Sequence, residues 1–296
     1  MGVRISNIHG YFEYSTNSLP EQKKQVFQLA KKVIHPLIKF GLPINLSHIF
    51  VATSCPDMLS PSLGQMLKEE FNDQLASCQS LDIIQGCTGG VSAMIIASQI
   101  CELNESTVLV INADAAKKAT SRSKPIHRIF GNGSFSCLIG YDNSDKRLIY
   151  SKSKQYNGLS EVITINLGHD SDEIIMKNIE DIKIDPRKHL GLSMNNVLAK
   201  KLFSYAEGFF KDFIKESQSP DIMILHQVNP LIMKHLERIF AKYKVRFINV
   251  SKSTGNCGAA SVGIALDLIQ EDIRGQKVLL CSFGTGGVIT AGLWQF

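Results

Sequence analysis

Asp82-Ile83-Ile84-Gln85-Gly86-Cys87-Thr88-Gly89-Gly90-Val91-Ser92-Ala93-Met94-Ile95-Ile96-Ala97 reads as an apolar strand ending in glycine, with a cysteine opening a helix. Gly89, Gly90, Ser92 and Ala93 are small, so other backbone can approach the first helical turn closely. The open amides of that turn and the helix dipole favour a thiolate over a thiol. Cys87 is therefore the candidate nucleophile. The competing reading is a buried, unreactive cysteine, the common state of a free thiol in a folded protein. Two polar residues downstream, His226 and Asn256, turn the balance, because each stands at a similar strand-to-turn junction.

The chain has 296 residues, of which 44% are apolar and 20% charged, ordinary values for a globular protein with one large core or two domains. No stretch reaches the roughly 20 apolar residues of a membrane helix, and Met1-Gly2-Val3-Arg4-Ile5-Ser6 has no apolar signal core. A cytoplasmic location and no membrane association are expected. The seven cysteines form no C-x-x-C pair and sit mostly in apolar runs, so neither zinc nor a disulfide framework is indicated. A net charge of +5 spread over helical faces such as Lys23-Lys24 and Lys200-Lys201 describes a solvated surface, with no nucleic-acid partner implied.

Outward from Cys87, the pattern alternates between helices and strands. Ser18 to Phe40 has the apolar spacing of an amphipathic helix, opened by Pro20 and Glu21 and stopped by Gly41 and Pro43. Strands are expected at 49–53, 82–86, 107–112 and 134–140, with helices through Met66 and from Cys87 to about Leu103. The second half repeats the order, with strands at 221–225, 246–250, 277–282 and 288–294 and a small-residue helix at 258–266. Such an offset repeat implies two topologically equivalent α/β halves, 1–150 carrying the cysteine and 151–296 carrying the histidine and asparagine. Ligands gather where strand ends of such halves meet. There a thiolate can attack an acyl carbonyl, an imidazole can manage protons, and amide donors can hold developing negative charge. His226 as a satisfied core histidine and Asn256 as a turn residue remain the plain alternatives. Gly284-Thr285-Gly286-Gly287 is either a hairpin turn or part of an oxyanion hole.

Gly86-Cys87-Thr88-Gly89-Gly90, His226-Gln227-Val228-Asn229 and Gly255-Asn256-Cys257-Gly258-Ala259-Ala260-Ser261, in that order, resemble the motifs of the ketoacyl synthase III group of the thiolase superfamily. Phe283-Gly284-Thr285-Gly286-Gly287 is similar to that group's glycine-rich C-terminal turn. The resemblance implies a five-layered αβαβα fold, usually a homodimer, and an acyltransferase with no permanently bound cofactor or metal. Cys87 would take an acyl group from a coenzyme A or acyl-carrier-protein thioester. His226 and Asn256 would hold the carbonyl of a malonyl-type extender during decarboxylative Claisen condensation. Thr285 and Gly286 would help form the oxyanion site, Asn229 would bind substrate, and Leu59 or Ser60 would tune chain length across a dimer.

The chain departs from the group's pattern in three places. Only Gly10 to Ser18 stands where the group has its Trp- and Arg-bearing coenzyme A segment, Leu231 replaces an Arg, and Gly131-Asn132-Gly133 replaces Gly-Asp-Gly. The first favours a carrier-protein donor or another acyl source, and together the three favour a specialised, secondary-metabolite role. Two other readings stay open: a synthase-like acyltransferase to an alcohol or amine, and a subunit paired with another synthase as a heterodimer. A long apolar cavity at Cys87 would indicate a fatty acyl group, and a short or polar one another starter.

Overall fold

The computed structural model describes residues 2–14, 25–120, 125–143, 145–167 and 190–296. In chain order the strands are β1 (Gly2–Glu13), β2 (Leu46–Ala52), β3 (Gln79–Ile83), β4 (Thr107–Ala115), β5 (Asn132–Asp142), β6 (Arg147–Gln155), β7 (Ile163–Leu167), β8 (Leu190–Met194), β9 (Ile222–Leu225), β10 (Arg246–Ile248), β11 (Lys277–Gly284) and β12 (Val288–Gln295). The helices are α1 (Gln25–Phe40), α2 (Leu63–Glu70), α3 (Asn72–Leu75), α4 (Gly89–Asn104), α5 (Asn196–Glu216), α6 (Pro230–Phe240), α7 (Ser251–Thr254) and α8 (Ser261–Asp267). No described helix is long and apolar enough to cross a membrane.

Two five-stranded sheets have the same plan. One runs β1-β5-β4-β2-β3 and the other β6-β12-β11-β9-β10, each strand standing where its counterpart does. In each sheet three strands are parallel and two join antiparallel at one side. The central strand β4, Thr-Val-Leu-Val-Ile-Asn-Ala-Asp-Ala, is buried along its whole length, as a strand covered on both faces must be.

The apolar faces stack the sheets into five layers. α4 is apolar nearly all round and so can be buried between the sheets, where Met94, Ile95 and Ala97 share one core with Phe50 and Val110 of the first sheet, Ile224 and Leu280 of the second, and Ile264 of α8. α1 is amphipathic and lays Val26, Ala30, Val33 and Leu37 on the outer face of the first sheet, beside α2. α5 and α6 cover the second sheet with Leu202, Phe209, Phe213, Met233 and Leu236. The αβαβα expectation is therefore met.

Some boundaries differ from those read in the sequence. The strand expected at 82–86 ends at Ile83, since Gly86 has φ +54 and starts a short 3-10 turn. Residue 150 falls inside β6, which pairs with β12, so the passage from one sheet to the other lies between Asp142 and Arg147. The expected helix start at Pro20 and Glu21 lies outside the described residues.

Candidate active site

Cys87 sits in the 3-10 turn Gly86–Thr88 that joins β3 to α4. Thr88 Oγ1 donates to the Gln85 carbonyl at 2.9 Å, and Ser282 Oγ, on β11 of the other sheet, donates to the Cys87 carbonyl at 2.6 Å. The cysteine is thus held from both halves. A Cβ at Gly284 would lie 3.2 Å from Cys87 Cβ and 3.3 Å from its sulfur, so a glycine keeps the end of β11 clear of the thiol. Burial first, and then the Asp114 carboxylate, push the thiol up to about 12. Desolvation disfavours the charged form, so the resting group is a thiol rather than the thiolate expected from the helix terminus alone.

His226 ends β9, where its N–H donates to the Cys281 carbonyl at 2.9 Å. Its imidazole is 2% exposed, stands edge-on to Phe283 at 6.1 Å between ring centroids, and has no partner on Nδ1 among the described residues. Burial lowers its pKa from 6.5 to about 4, so the ring is neutral at pH 7 and can accept a proton. The next residue is a brace: Gln227, fully buried, donates to the carbonyls of Leu225 (2.6 Å) and Ile248 (3.3 Å) and accepts from Val250 N–H at 2.9 Å. It ties the end of β9 to that of β10.

Asn256 follows α7 and Gly255. Its N–H donates to the Ile129 carbonyl at 2.8 Å, and its carbonyl accepts from Gly131 N–H at 2.9 Å, which fixes it to the first half. Oδ1 accepts from Gly258 N–H at 3.0 Å, leaving Nδ2 as the donor end. Glycines at 131 and 258 are demanded by close approach: a Cβ on Gly131 would meet the Thr254 carbonyl at 2.3 Å, and one on Gly258 would meet Asp114 Oδ2 at 2.0 Å.

Cys87, His226 and Asn256, from three distant segments, line one cavity of ≈ 680 Å³. The other residues anticipated from sequence fall differently. Asn229 lines the cavity, but its Oδ1 accepts from Ile232 N–H at 2.9 Å as the cap of α6. Thr285 and Gly286 occupy the turn after β11 and do not line the cavity; Gly284 does. Thr285 Oγ1 donates to the Gln85 carbonyl at 3.4 Å, and the Gly286 carbonyl accepts from Gln155. Leu59, 68% exposed, and Ser60 lie on the surface loop before α2, away from the cavity of their own chain.

Two contributions went unread in the sequence. Between 155 and 220 the sequence reading marked only a helical face at Lys200-Lys201, yet β7, β8 and α5 supply much of the cavity wall, including Ile163, Leu192, Ala199, Leu202 and Phe203. The apolar spacing at 199, 202, 206, 209, 210 and 213 would have marked α5. Asp114, fully buried on β4, accepts from Thr53 Oγ1 (3.0 Å), Ser54 N–H (2.7 Å), Ser54 Oγ (2.8 Å) and Ala259 N–H (2.6 Å). Burial raises its pKa, and those hydrogen bonds oppose the rise. Nothing local in Asn-Ala-Asp-Ala reveals that role.

Residues 215–296 match the family model for the C-terminal part of 3-oxoacyl-[acyl-carrier-protein] synthase III. The chain is 29% identical over 259 residues to β-ketoacyl-[acyl-carrier-protein] synthase III of Desulfotalea psychrophila, covering 82% of this chain and 75% of that protein. It is 24% identical over 276 residues to the enzyme of the same name from Lactobacillus delbrueckii, covering 92% and 85%. Among solved structures it resembles β-ketoacyl-[acyl carrier protein] synthase III from Thermus thermophilus, with TM-score 0.80, 18% identity and coverage of 100% and 99%. It also resembles OleA from Xanthomonas campestris, with TM-score 0.73, 16% identity and coverage of 93% and 83%. By sequence matches and layered fold, this chain is similar to the β-ketoacyl-[acyl-carrier-protein] synthase III enzymes.

Proposed function

We propose that the protein is an acyltransferase that catalyses decarboxylative Claisen condensation through an acyl-Cys87 intermediate. The observation that carries this reading is the convergence of Cys87, His226 and Asn256 on one cavity. In the first half-reaction the Cys87 sulfur bonds to the acyl carbon of a coenzyme A or carrier-protein thioester. The donor's C–S bond breaks, and the thiol proton passes by way of the neutral imidazole to the leaving thiolate. In the second, a malonyl-type thioester loses carbon dioxide. Its enolate oxygen is held by Nδ2 of Asn256 and the imidazole of His226, and its carbon attacks the acyl carbonyl to release Cys87 and a β-ketoacyl thioester.

In this reading the oxyanion is held by the backbone N–H groups of Cys87 and Gly284, both of which line the cavity, rather than by that of Thr285. Leu231, exposed on α6 where an Arg was expected, weakens an electrostatic grip on an acidic carrier protein, while Lys234 and Arg238 on the same helix remain to meet it. A homodimer in which Leu59 and Ser60 reach the partner's cavity fits their exposure.

Intact-mass measurement with acyl thioesters tests the first half: an acyl adduct is expected on the native chain and none on Cys87→Ala. In Asn256→Ala, loss of one amide donor is expected to lower carbon–carbon product formation by about 10²–10³ while acylation persists. Unchanged condensation in Asn256→Ala would overturn this assignment. If that variant instead keeps transfer to an alcohol or amine as its principal reaction, the protein is a plain acyltransferase.

A further inference from the structure

The two amide donors assigned to the oxyanion come from different halves of the molecule, Cys87 from the turn after β3 and Gly284 from the end of β11. Their separation is therefore set by how the second sheet seats against the Cys87 turn. Along β11, Leu280 faces the layer between the sheets, while Leu279, Cys281 and Phe283 face the α5 side. Ser282 and Gly284 continue the face of Leu280, and both meet the same residue. Gly284 leaves room for the Cys87 side chain, and Ser282 Oγ donates to the Cys87 carbonyl at 2.6 Å.

Ser282 is fully buried in the otherwise apolar run Val278-Leu279-Leu280-Cys281-Ser282-Phe283. A hydroxyl there costs free energy unless it is hydrogen-bonded, so packing of the strand gives no reason for it; the Cys87 carbonyl does. The neighbouring contact is looser, since Thr285 Oγ1 reaches the Gln85 carbonyl at 3.4 Å. We propose that Ser282 is a positioning residue for acyl transfer: by holding the Cys87 carbonyl it keeps the N–H groups of Cys87 and Gly284 aimed at one oxygen. Ser282 itself does not line the cavity and acts through Cys87. The inference rests on the acyl-Cys87 reading and names the residue that sets the geometry of its transition state. A reacting group displaced by about 1 Å can cost roughly 10²-fold in rate, and an oxyanion donor lost outright about 10²–10³.

The test compares two reactions of the same sulfur in the full chain. In acylation by the acetyl or hexanoyl thioester of N-acetylcysteamine, read by intact mass, the Cys87 sulfur bonds to the acyl carbon as the donor C–S bond breaks, and the thiol proton leaves on N-acetylcysteamine. In alkylation by iodoacetamide, read by peptide mass, the sulfur displaces iodide, the thiol proton goes to solvent, and no oxyanion forms. Ser282→Ala is expected to lower the maximal rate of acylation at least about tenfold with the half-saturating thioester concentration unchanged, while alkylation stays within about twofold. Unchanged acylation, or equal slowing of both reactions, overturns the proposal. Ser282→Thr keeps the hydroxyl and is expected to restore most of the acylation-to-alkylation ratio; a ratio as low as that of Ser282→Ala overturns it. Ser136, equally buried, donates to the Val33 carbonyl at 2.8 Å on the α1 side. Ser136→Ala is expected to leave the ratio within about twofold, and a tenfold fall there would overturn the proposal by showing that any lost buried hydroxyl slows acylation. If neither thioester acylates native Cys87, the acyl-Cys87 reading falls alone and acetaldehyde decides the inference. Its carbonyl carbon bonds to the sulfur, its oxygen takes the thiol proton and occupies the same two donors, and the hemithioacetal protects Cys87 from iodoacetamide. Protection at least about tenfold weaker in Ser282→Ala supports the proposal; equal protection, or none in the native chain, overturns it.

Discussion

His226 shows how burial sets chemistry at a single residue. An imidazole 2% exposed, with no partner on Nδ1 among the described residues, is kept neutral, its pKa lowered from 6.5 to about 4 by burial. Between those two values the unfolded chain binds a proton that the folded chain excludes. Stability conferred by the neutral ring is therefore complete above about pH 6.5 and is lost as pH falls towards 4, by about 3 kcal/mol over the interval. Urea unfolding of the native chain and His226→Asn at about pH 7 and about pH 5 checks this: the native chain is expected to lose roughly 2 kcal/mol more than the variant on acidification. Equal losses would show that the ring is protonated or partnered in the folded state. The same desolvation raises the Cys87 thiol, so a neutral thiol and a neutral imidazole face the cavity until substrate arrives. Helix-terminal amides alone pointed to a thiolate; they were outweighed because the turn is packed against β11 and lies within the field of Asp114.

At the scale of elements, the site depends on how closely α4 meets the turn that follows Asn256. A Cβ on Gly90 would stand 2.2 Å from the Ala259 carbonyl and 2.7 Å from Asn112 Nδ2, and the first of these is backbone that cannot rotate away. Gly90→Ala is expected to cost roughly 1–3 kcal/mol and to lower the melting temperature by several degrees. Gly208, on α5 with nothing within 4 Å of an added Cβ, supplies the contrast: Gly208→Ala is expected to stabilise by about 0.5–1 kcal/mol through helix propensity. Thermal unfolding of the two variants decides the point, and an equal shift in both would remove close approach as the reason for the small residues at 89–93. The small-residue pattern was legible as a demand for close approach. Its partner was not, because that partner is 169 positions away in the chain.

At the scale of the molecule, the two halves are locked together by buried polar groups as well as by the shared apolar layer. Asp114 accepts from Thr53 and Ser54 in the first half and from Ala259 in the second. Asp114→Ala would leave five donors, two of them backbone N–H groups and one the Cys55 thiol, without an acceptor in the core. At about 1–3 kcal/mol for each group left unsatisfied, denaturant unfolding is expected to register a loss of at least about 3 kcal/mol, with Asp114→Asn intermediate because one oxygen still accepts. A loss below about 1 kcal/mol would mean that water or a backbone shift replaces the carboxylate.

By itself the sequence determined the repeated strand order, the glycine-flanked position of Cys87 and the polar residues that end β9 and follow α7. These are written in local patterns: apolar runs that must be strands, small residues where a turn is crowded, and a polar residue breaking an apolar run at its end. Tertiary structure alone decided the rest. It put Gly284 rather than Thr285 on the cavity, spent the Asn229 side chain on a helix cap, kept Leu59 and Ser60 off their own chain's site, and brought Asp114 across to Ala259. It also built a long apolar wall from α5 and the β7-β8 pair. Each of these outcomes depends on which distant segments meet when two sheets close on a common helical layer, and spacing along one chain carries no measure of that distance.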